Sequence, residues 1–215
     1  APEYDEWWQR RGRYDHGAEE AAEWQAQVDV VAAALESFGP VGDVIELAGG
    51  TGWWTERLAS TARTLTVVDA SEEVLAINKH RVGRPDVRYV AADLFALPGG
   101  GTYDVVFFSF WLSHVPSARV ARFWDLVAGL LRPGGRVFFI DNRHDTTLKR
   151  SDPYVVDVGG EVQRRRLRDG SEHRVVKVFY EPEELQKALE PLGWQARVQG
   201  TRWFIYGSAV RSSLR

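Results

Sequence analysis

The sequence predicts an α/β fold in which a doubly wound, mostly parallel sheet is covered by helices on both faces. Three observations predict it. Short apolar runs rich in Val and Ile alternate with longer stretches of helical periodicity along the 215 residues. The first apolar run breaks at once into a glycine-dense turn, Ala48-Gly49-Gly50-Thr51-Gly52, that opens a helix. The next two runs each end at an acid, Asp69 and Asp93, where a ligand at the carboxyl ends of parallel strands would be met.

The elements follow in order. The segment from Tyr4 to Asp15 mixes paired Trp with Arg and Tyr, residues suited either to recognition through flat apolar area or to packing on a core. Ala21, Trp24, Val28, Val31, Leu35 and Phe38 recur at steps of three and four, one face of a helix that stops at Gly39-Pro40. Val41, Val44, Ile45 and Leu47 have the character of a central parallel strand. A second strand runs from Thr64 to Asp69, and Ser71 caps the helix after it with Glu72 and Glu73 in its first turn. A third strand spans Val87 to Ala91, and the glycine-rich stretch Leu97 to Thr102 is a loop. Tyr103 to Ser109 is a fourth strand, and Ser117 to Leu131 a helix with Val120, Phe123, Trp124, Val127 and Leu131 on one side. Val162 to Leu167 and Arg174 to Phe179 flank Asp169-Gly170 and predict an inserted β-hairpin. That hairpin either walls a pocket, covers a sheet edge or joins two subunits. A closing helix begins near Pro182.

The glycine turn narrows the chemistry. A phosphate-binding P-loop requires Lys followed by Ser or Thr after the glycines, but Gly52 is followed by Trp53 and Trp54. A dinucleotide fingerprint counted from Gly50 would place Gly or Ala where Thr55 stands. Read singly, an Asp at a strand end is a turn former or a helix cap. The ordered set is what points to a nucleoside: a carboxylate such as Asp69 accepts hydrogen bonds from both hydroxyls of a ribose.

Glu46-Leu47-Ala48-Gly49-Gly50-Thr51-Gly52 resembles the first motif of the class I S-adenosylmethionine-dependent methyltransferases, an acid followed by alternating glycines, with Ala48 in place of the first glycine. Ala at that position adds a methyl that either shifts the ligand slightly or demands a tolerant torsion. Asp93 resembles the family's adenine-contacting acid, Tyr103 to Ser109 its fourth strand, and Leu131-Arg132-Pro133-Gly134-Gly135 its turn into the fifth. The resemblance covers Val41 to about Asn142 well and the tail more loosely. It implies a Rossmann-like sheet, mostly parallel, whose last strand, Trp203 to Ala209, is antiparallel. It further implies one domain over 1–215: a lid segment over 1–17, a cofactor-binding core over 18–142, and the hairpin insertion with a helix-strand unit over 143–215.

The site implied by that resemblance is specific. Glu46, Ala48, Gly49, Gly50 and Gly52 would bed S-adenosylmethionine, Asp69 with Ala70 would take the ribose, Asp93 with Leu94 the adenine, and Tyr14 the cofactor carboxylate. Ser109 closes the fourth strand beside the cofactor, and Trp8, Phe110, Trp111 and Asn142 would line the acceptor pocket. His114, just past that strand, is either a general base for the acceptor or an orienting residue. Asp141-Asn142 resembles the magnesium-holding pair of catechol-type O-methyltransferases, but those enzymes take an Asp where Ser109 or Phe110 stands, so no metal is expected.

Composition bounds the rest. A formal net charge of −3 removes a general electrostatic case for nucleic acid. No run reaches the length of a membrane span, and no charged-then-apolar leader stands at the amino end. With no Cys there is neither disulfide nor thiolate chemistry. The expectation is a cytoplasmic monomer or homodimer that methylates an N, O or C atom of a small molecule and releases S-adenosylhomocysteine. The alternatives are an NAD(P)-dependent oxidoreductase, disfavoured by Thr55 and the lack of Tyr-x-x-x-Lys, and a non-catalytic S-adenosylmethionine-binding regulator or scaffold.

Overall fold

The computed structural model describes residues 2–143, 155–157, 160–167 and 170–212. The chain opens with α1 (Pro2–Trp8) and a 3-10 turn, Gly12–Tyr14, and then α2 (Ala18–Phe38). The alternating core follows: β1 (Gly42–Leu47), α3 (Thr55–Thr61), β2 (Ala62–Asp69), α4 (Glu72–Val82), β3 (Arg88–Ala91), β4 (Tyr103–Ser109), α5 (Val120–Leu130) and β5 (Leu131–Asn142). The insertion carries β6 (Val155–Asp157), β7 (Val162–Arg166) and β8 (Glu172–Val176), and the chain closes with α6 (Pro182–Leu189), β9 (Trp194–Gly200) and β10 (Phe204–Arg211).

Seven strands form one sheet in the order β3-β2-β1-β4-β5-β10-β9. β1 pairs in parallel with β2 and β4, and β4 with β5, whereas β10 lies antiparallel to both β5 and β9. Successive side chains of the central strands serve opposite faces, as period two requires. Val44, Val105, Phe107, Phe138 and Ile140 face α2 and α3, while Ile45, Leu47, Val106, Phe108, Val137 and Phe139 face α5 and α6. Both faces are therefore dry, which explains why these strands read as unbroken apolar runs.

Four details depart from the sequence reading. The Leu131 to Gly135 turn already belongs to β5: Leu131 pairs with Tyr103 across an irregularity in the ladder. The helix expected from Ser117 begins as a 3-10 turn after Pro116 and becomes α-helical at Val120. The inserted hairpin is a three-stranded antiparallel sheet, because β6 adds to β7; a three-residue strand carries too little pattern to be seen in sequence. Its return strand also ends sooner than expected. Lys177 and Val178 leave the sheet to donate their backbone N–H groups to Glu161 and Ser113 carbonyls. Asp169 of the expected turn lies outside the described residues.

Candidate active site

The glycine turn sits at the carboxyl end of the central strand β1, and the protein itself demands its small residues. Ala48 has a left-handed φ of 54°, the torsion anticipated for the residue replacing glycine. A Cβ on Gly49 would lie 2.3 Å from Val67 Cγ1, and one on Gly52 would lie 2.9 Å from Asn78 Cγ. The ligand is thus not needed to explain these two glycines. Asn78, fully buried on α4, donates Nδ2–H to the carbonyls of Gly49 and Gly50, each at 3.2 Å, and to Thr55 Oγ1 at 2.8 Å. Thr55 in turn donates to Glu46 Oε2 at 2.5 Å. The residue that breaks the dinucleotide fingerprint therefore anchors the buried acid of β1. Burial pushes the Glu46 carboxyl up to about 8, with nearby Asp69 adding to the shift, and its Oε1 has no partner among the described residues.

The next strand ends gather beside this turn. The Asp69 carboxylate accepts the Gly50 N–H on one oxygen and the Ser71 N–H on the other, each at 3.0 Å. It clamps the turn to the start of α4 and keeps lone pairs for further hydroxyl donors. Ala70, exposed, follows it. The Ala92 N–H donates to the Asp69 carbonyl, bringing Asp93 alongside. Asp93 is exposed and caps a 3-10 turn by accepting the Phe95 N–H at 2.9 Å, while Leu94 is buried beneath it.

On the other flank, Ser109 ends β4 and Phe110 takes a left-handed φ of 53°, with its N–H on the Ile140 carbonyl. Such torsions in bulky residues are costly and concentrate at ligand sites. The turn directs the Phe110 ring toward Trp7 and Trp8 of α1, at 5.3 and 5.1 Å between centroids. Trp8 is buried, stacks on Trp53 at 5.2 Å and accepts the Trp24 indole N–H on its carbonyl. Tyr14 lies in its 3-10 turn near Arg10, and Asp5 of α1 reaches the glycine turn, 3.0 Å from Thr51 Oγ1. Trp111 follows Phe110 with its indole N–H buried and unpartnered among the described residues.

His114 and Asn142 meet a cation that sequence reasoning missed. Lys177, from the end of the insertion, donates to Ser113 Oγ at 2.7 Å and Asn142 Oδ1 at 2.8 Å, and lies 3.7 Å from Asp141 Oδ1. Asp141 also accepts the Ser113 and Asn142 N–H groups, at 2.8 and 2.7 Å. Burial brings the Lys177 ammonium down to about 8 against the pull of Asp141. The His114 ring places Nδ1 at 2.8 Å from the Val176 carbonyl, which can only accept, so Nδ1 carries the proton and Nε2 the lone pair. Burial and the Lys177 charge hold this imidazole down to about 4. A separate groove of about 330 Å³, lined by Leu131 to Gly135 with Ala128, Val210 and Arg211, lies at the opposite end of β5.

A profile of the family described as "Methyltransferase domain" matches residues 44–135. Across nearly the whole chain, the solved structure titled "DhpI-SAM-HEP complex" is 33% identical, with 97% of this chain and 96% of that one covered and a TM-score of 0.76. The chain belongs to the class I S-adenosylmethionine-dependent methyltransferase family. A second solved member, titled "DhpI-SAH complex structure", is 32% identical with a TM-score of 0.75. Curated methyltransferases match more locally. The ubiquinone biosynthesis O-methyltransferase of Aromatoleum aromaticum is 29% identical over 70% of this chain, and the demethylmenaquinone methyltransferase of Beutenbergia cavernae 37% over 49%. The chain spans 62% and 43% of the lengths of these two relatives. The matched residues 44–135 include the glycine turn, Asp69, Asp93 and the end of β4.

Proposed function

We propose that this chain transfers a methyl group from S-adenosylmethionine to an N, O or C atom of a small-molecule acceptor, without a metal ion. The observation that carries the reading is the clamp at the carboxyl end of β1, where Asp69 and Asn78 hold the turn from Ala48 to Gly52 with Asp93 at the neighbouring strand end. These residues fit the cofactor: the Asp69 carboxylate has lone pairs to spare for the ribose, and Glu46 Oε1 is a buried polar atom with no partner among the described residues. Glu46, Ala48, Gly49, Gly50 and Gly52 would bed it, Asp69 and Ala70 would hold the ribose, Asp93 and Leu94 the adenine, Ser109 the flank, and Tyr14 the carboxylate.

When bound, the cofactor would supply an electrophilic methyl for an electron pair of the acceptor, the sulfur would keep the electrons of the broken bond, and the acceptor's proton would leave to solvent. The protein's part is alignment and exclusion of water. Trp8, Phe110, Trp111 and Asn142 would bound the acceptor, and the neutral His114 would orient it through the Nε2 lone pair rather than remove its proton as a strong base. Asp141 already serves Lys177 and two backbone N–H groups, which argues against its holding magnesium. Among the described residues no group of three or more His, Cys, Asp or Glu could hold a metal, and no helix is long and apolar enough to cross a membrane. The names of the quinone-related relatives favour a small ring-bearing acceptor, and we assign the protein to the cytoplasm as a monomer or homodimer with no nucleic-acid partner.

Calorimetric titration tests the reading. S-adenosylmethionine and S-adenosylhomocysteine should bind and NAD and NADP should not, with Asp69→Ala weakening affinity tenfold or more, since hydrogen bonds to charged groups contribute about 1.5–3 kcal/mol each. Unchanged affinity in that variant removes the ribose assignment. Screening acceptors by released S-adenosylhomocysteine then separates an enzyme from a binding protein, and turnover abolished by EDTA and restored by magnesium would overturn metal independence.

A further inference from the structure

The turn that would receive the cofactor is fastened from two sides. Asp69 and Asn78 belong to the sheet unit and hold Gly49 and Gly50. Thr51, 3% exposed, is held from outside that unit: its Oγ1 donates to Asp5 Oδ1 of α1 at 3.0 Å, across 46 positions of sequence. The other Asp5 oxygen takes Arg81 Nη2 of α4 at 2.6 Å. Two residues on, Trp53 stacks against Trp8 of the same helix with its plane tilted by only 8°. α1 therefore touches the turn on both flanks of Gly52.

We propose that Asp5 is a positioning residue for the cofactor: it fixes Thr51, and with it the backbone of the Gly50 to Gly52 turn. The proposal rests on the function proposed above. Gly50 and Gly52, with φ of 55° and 92°, leave Thr51 between the two least restricted residues of the turn. An anchor there removes, before binding, conformational freedom that the cofactor would otherwise have to quench. It also makes cofactor affinity depend on a helix that carries Trp7 and Trp8 to the acceptor-side residue Phe110.

The test is titration of the full chain with S-adenosylhomocysteine, alongside amide hydrogen exchange over residues 49–53 and the melting temperature. Asp5→Ala and Thr51→Val should each weaken binding about tenfold, the double variant no further, and Thr51→Ser should restore it. Exchange over 49–53 should quicken in Asp5→Ala. Arg81→Met breaks the tie to α4 but spares the Asp5–Thr51 bond, so its affinity should stay within about threefold of wild type. Asp5→Ala binding as wild type does, or Arg81→Met losing as much as Asp5→Ala, overturns the proposal, the latter because docking of α1 alone would then explain the loss. A wild-type chain that binds no S-adenosylhomocysteine refutes the function itself, and the exchange arm still decides whether Asp5 orders the turn.

Discussion

The Lys177 ammonium lies 3.7 Å from the Asp141 carboxylate, with side chains 3% and 1% exposed, where the inserted sheet meets the ends of β4 and β5. Lys177 ties Ser113, past β4, to Asn142, at the end of β5, so the insertion holds together the two strand ends on the acceptor side. Removing the ammonium alone leaves a carboxylate buried without its counter-charge. Lys177→Met should therefore cost about 3–5 kcal/mol in urea unfolding, and Lys177→Met with Asp141→Asn should recover part of it. The pH sign follows from the ammonium held down to about 8: from there to its ordinary 10.5 the unfolded chain binds more protons, and stability rises with pH. That slope should be missing from Lys177→Met.

His114 gives a second window of the same sign at lower pH. Its imidazole is held down to about 4 against an ordinary 6.5, so between those values the unfolded chain again binds more protons and the fold loses stability as pH falls. The full loss is about 3 kcal/mol, and His114→Gln should flatten the curve between pH 6.5 and 4. Turnover should show no limb near neutrality that depends on this residue. A limb at pH 6 to 7 that vanishes in His114→Gln would make it a general base after all.

Adjacent substitutions in the glycine turn should have opposite signs. Ala48→Gly relieves a left-handed torsion costing about 1–2 kcal/mol, offset by about 0.5–1 kcal/mol of added freedom in the unfolded chain, so the melting temperature should rise slightly. Gly49→Ala drives a methyl against Val67 and should cost about 1–3 kcal/mol. Thermal unfolding of both variants checks the contrast.

Deleting residues 1–17 should lower the melting temperature as well as cofactor affinity. A simple lid would be shed with the core intact, but Trp8 is 2% exposed and packs with Trp24, Trp54 and Phe204. Loss of a buried Trp costs about 3–5 kcal/mol. A truncation as stable as the full chain would show that α1 packs only loosely on the core.

Much of the candidate site was legible because its signals are local. The turn from Ala48 to Gly52, the acids at Asp69 and Asp93, and the end of β4 are short runs whose backbone needs restrict residue type. Asn78 could have been found: a polar side chain on the Leu75–Val82 stripe of α4 occupies a buried helical position and must have partners there. Lys177 and Asp5 gave no such sign, since their partners lie 64 and 46 positions away.

By itself, then, the amino-acid sequence determined the alternation of strands and helices, the parallel sheet buried on both faces and the turn that would receive a nucleoside, because periodicity and glycine torsions are read over a few neighbouring residues. The tertiary structure alone decided that the inserted segment is a three-stranded sheet fastened by Lys177, that His114 is neutral with its proton on Nδ1, and that Asp5 completes the glycine turn. Each of these depends on which distant groups share a dry space, where a carbonyl or a buried charge a few ångströms away sets ionisation and orientation.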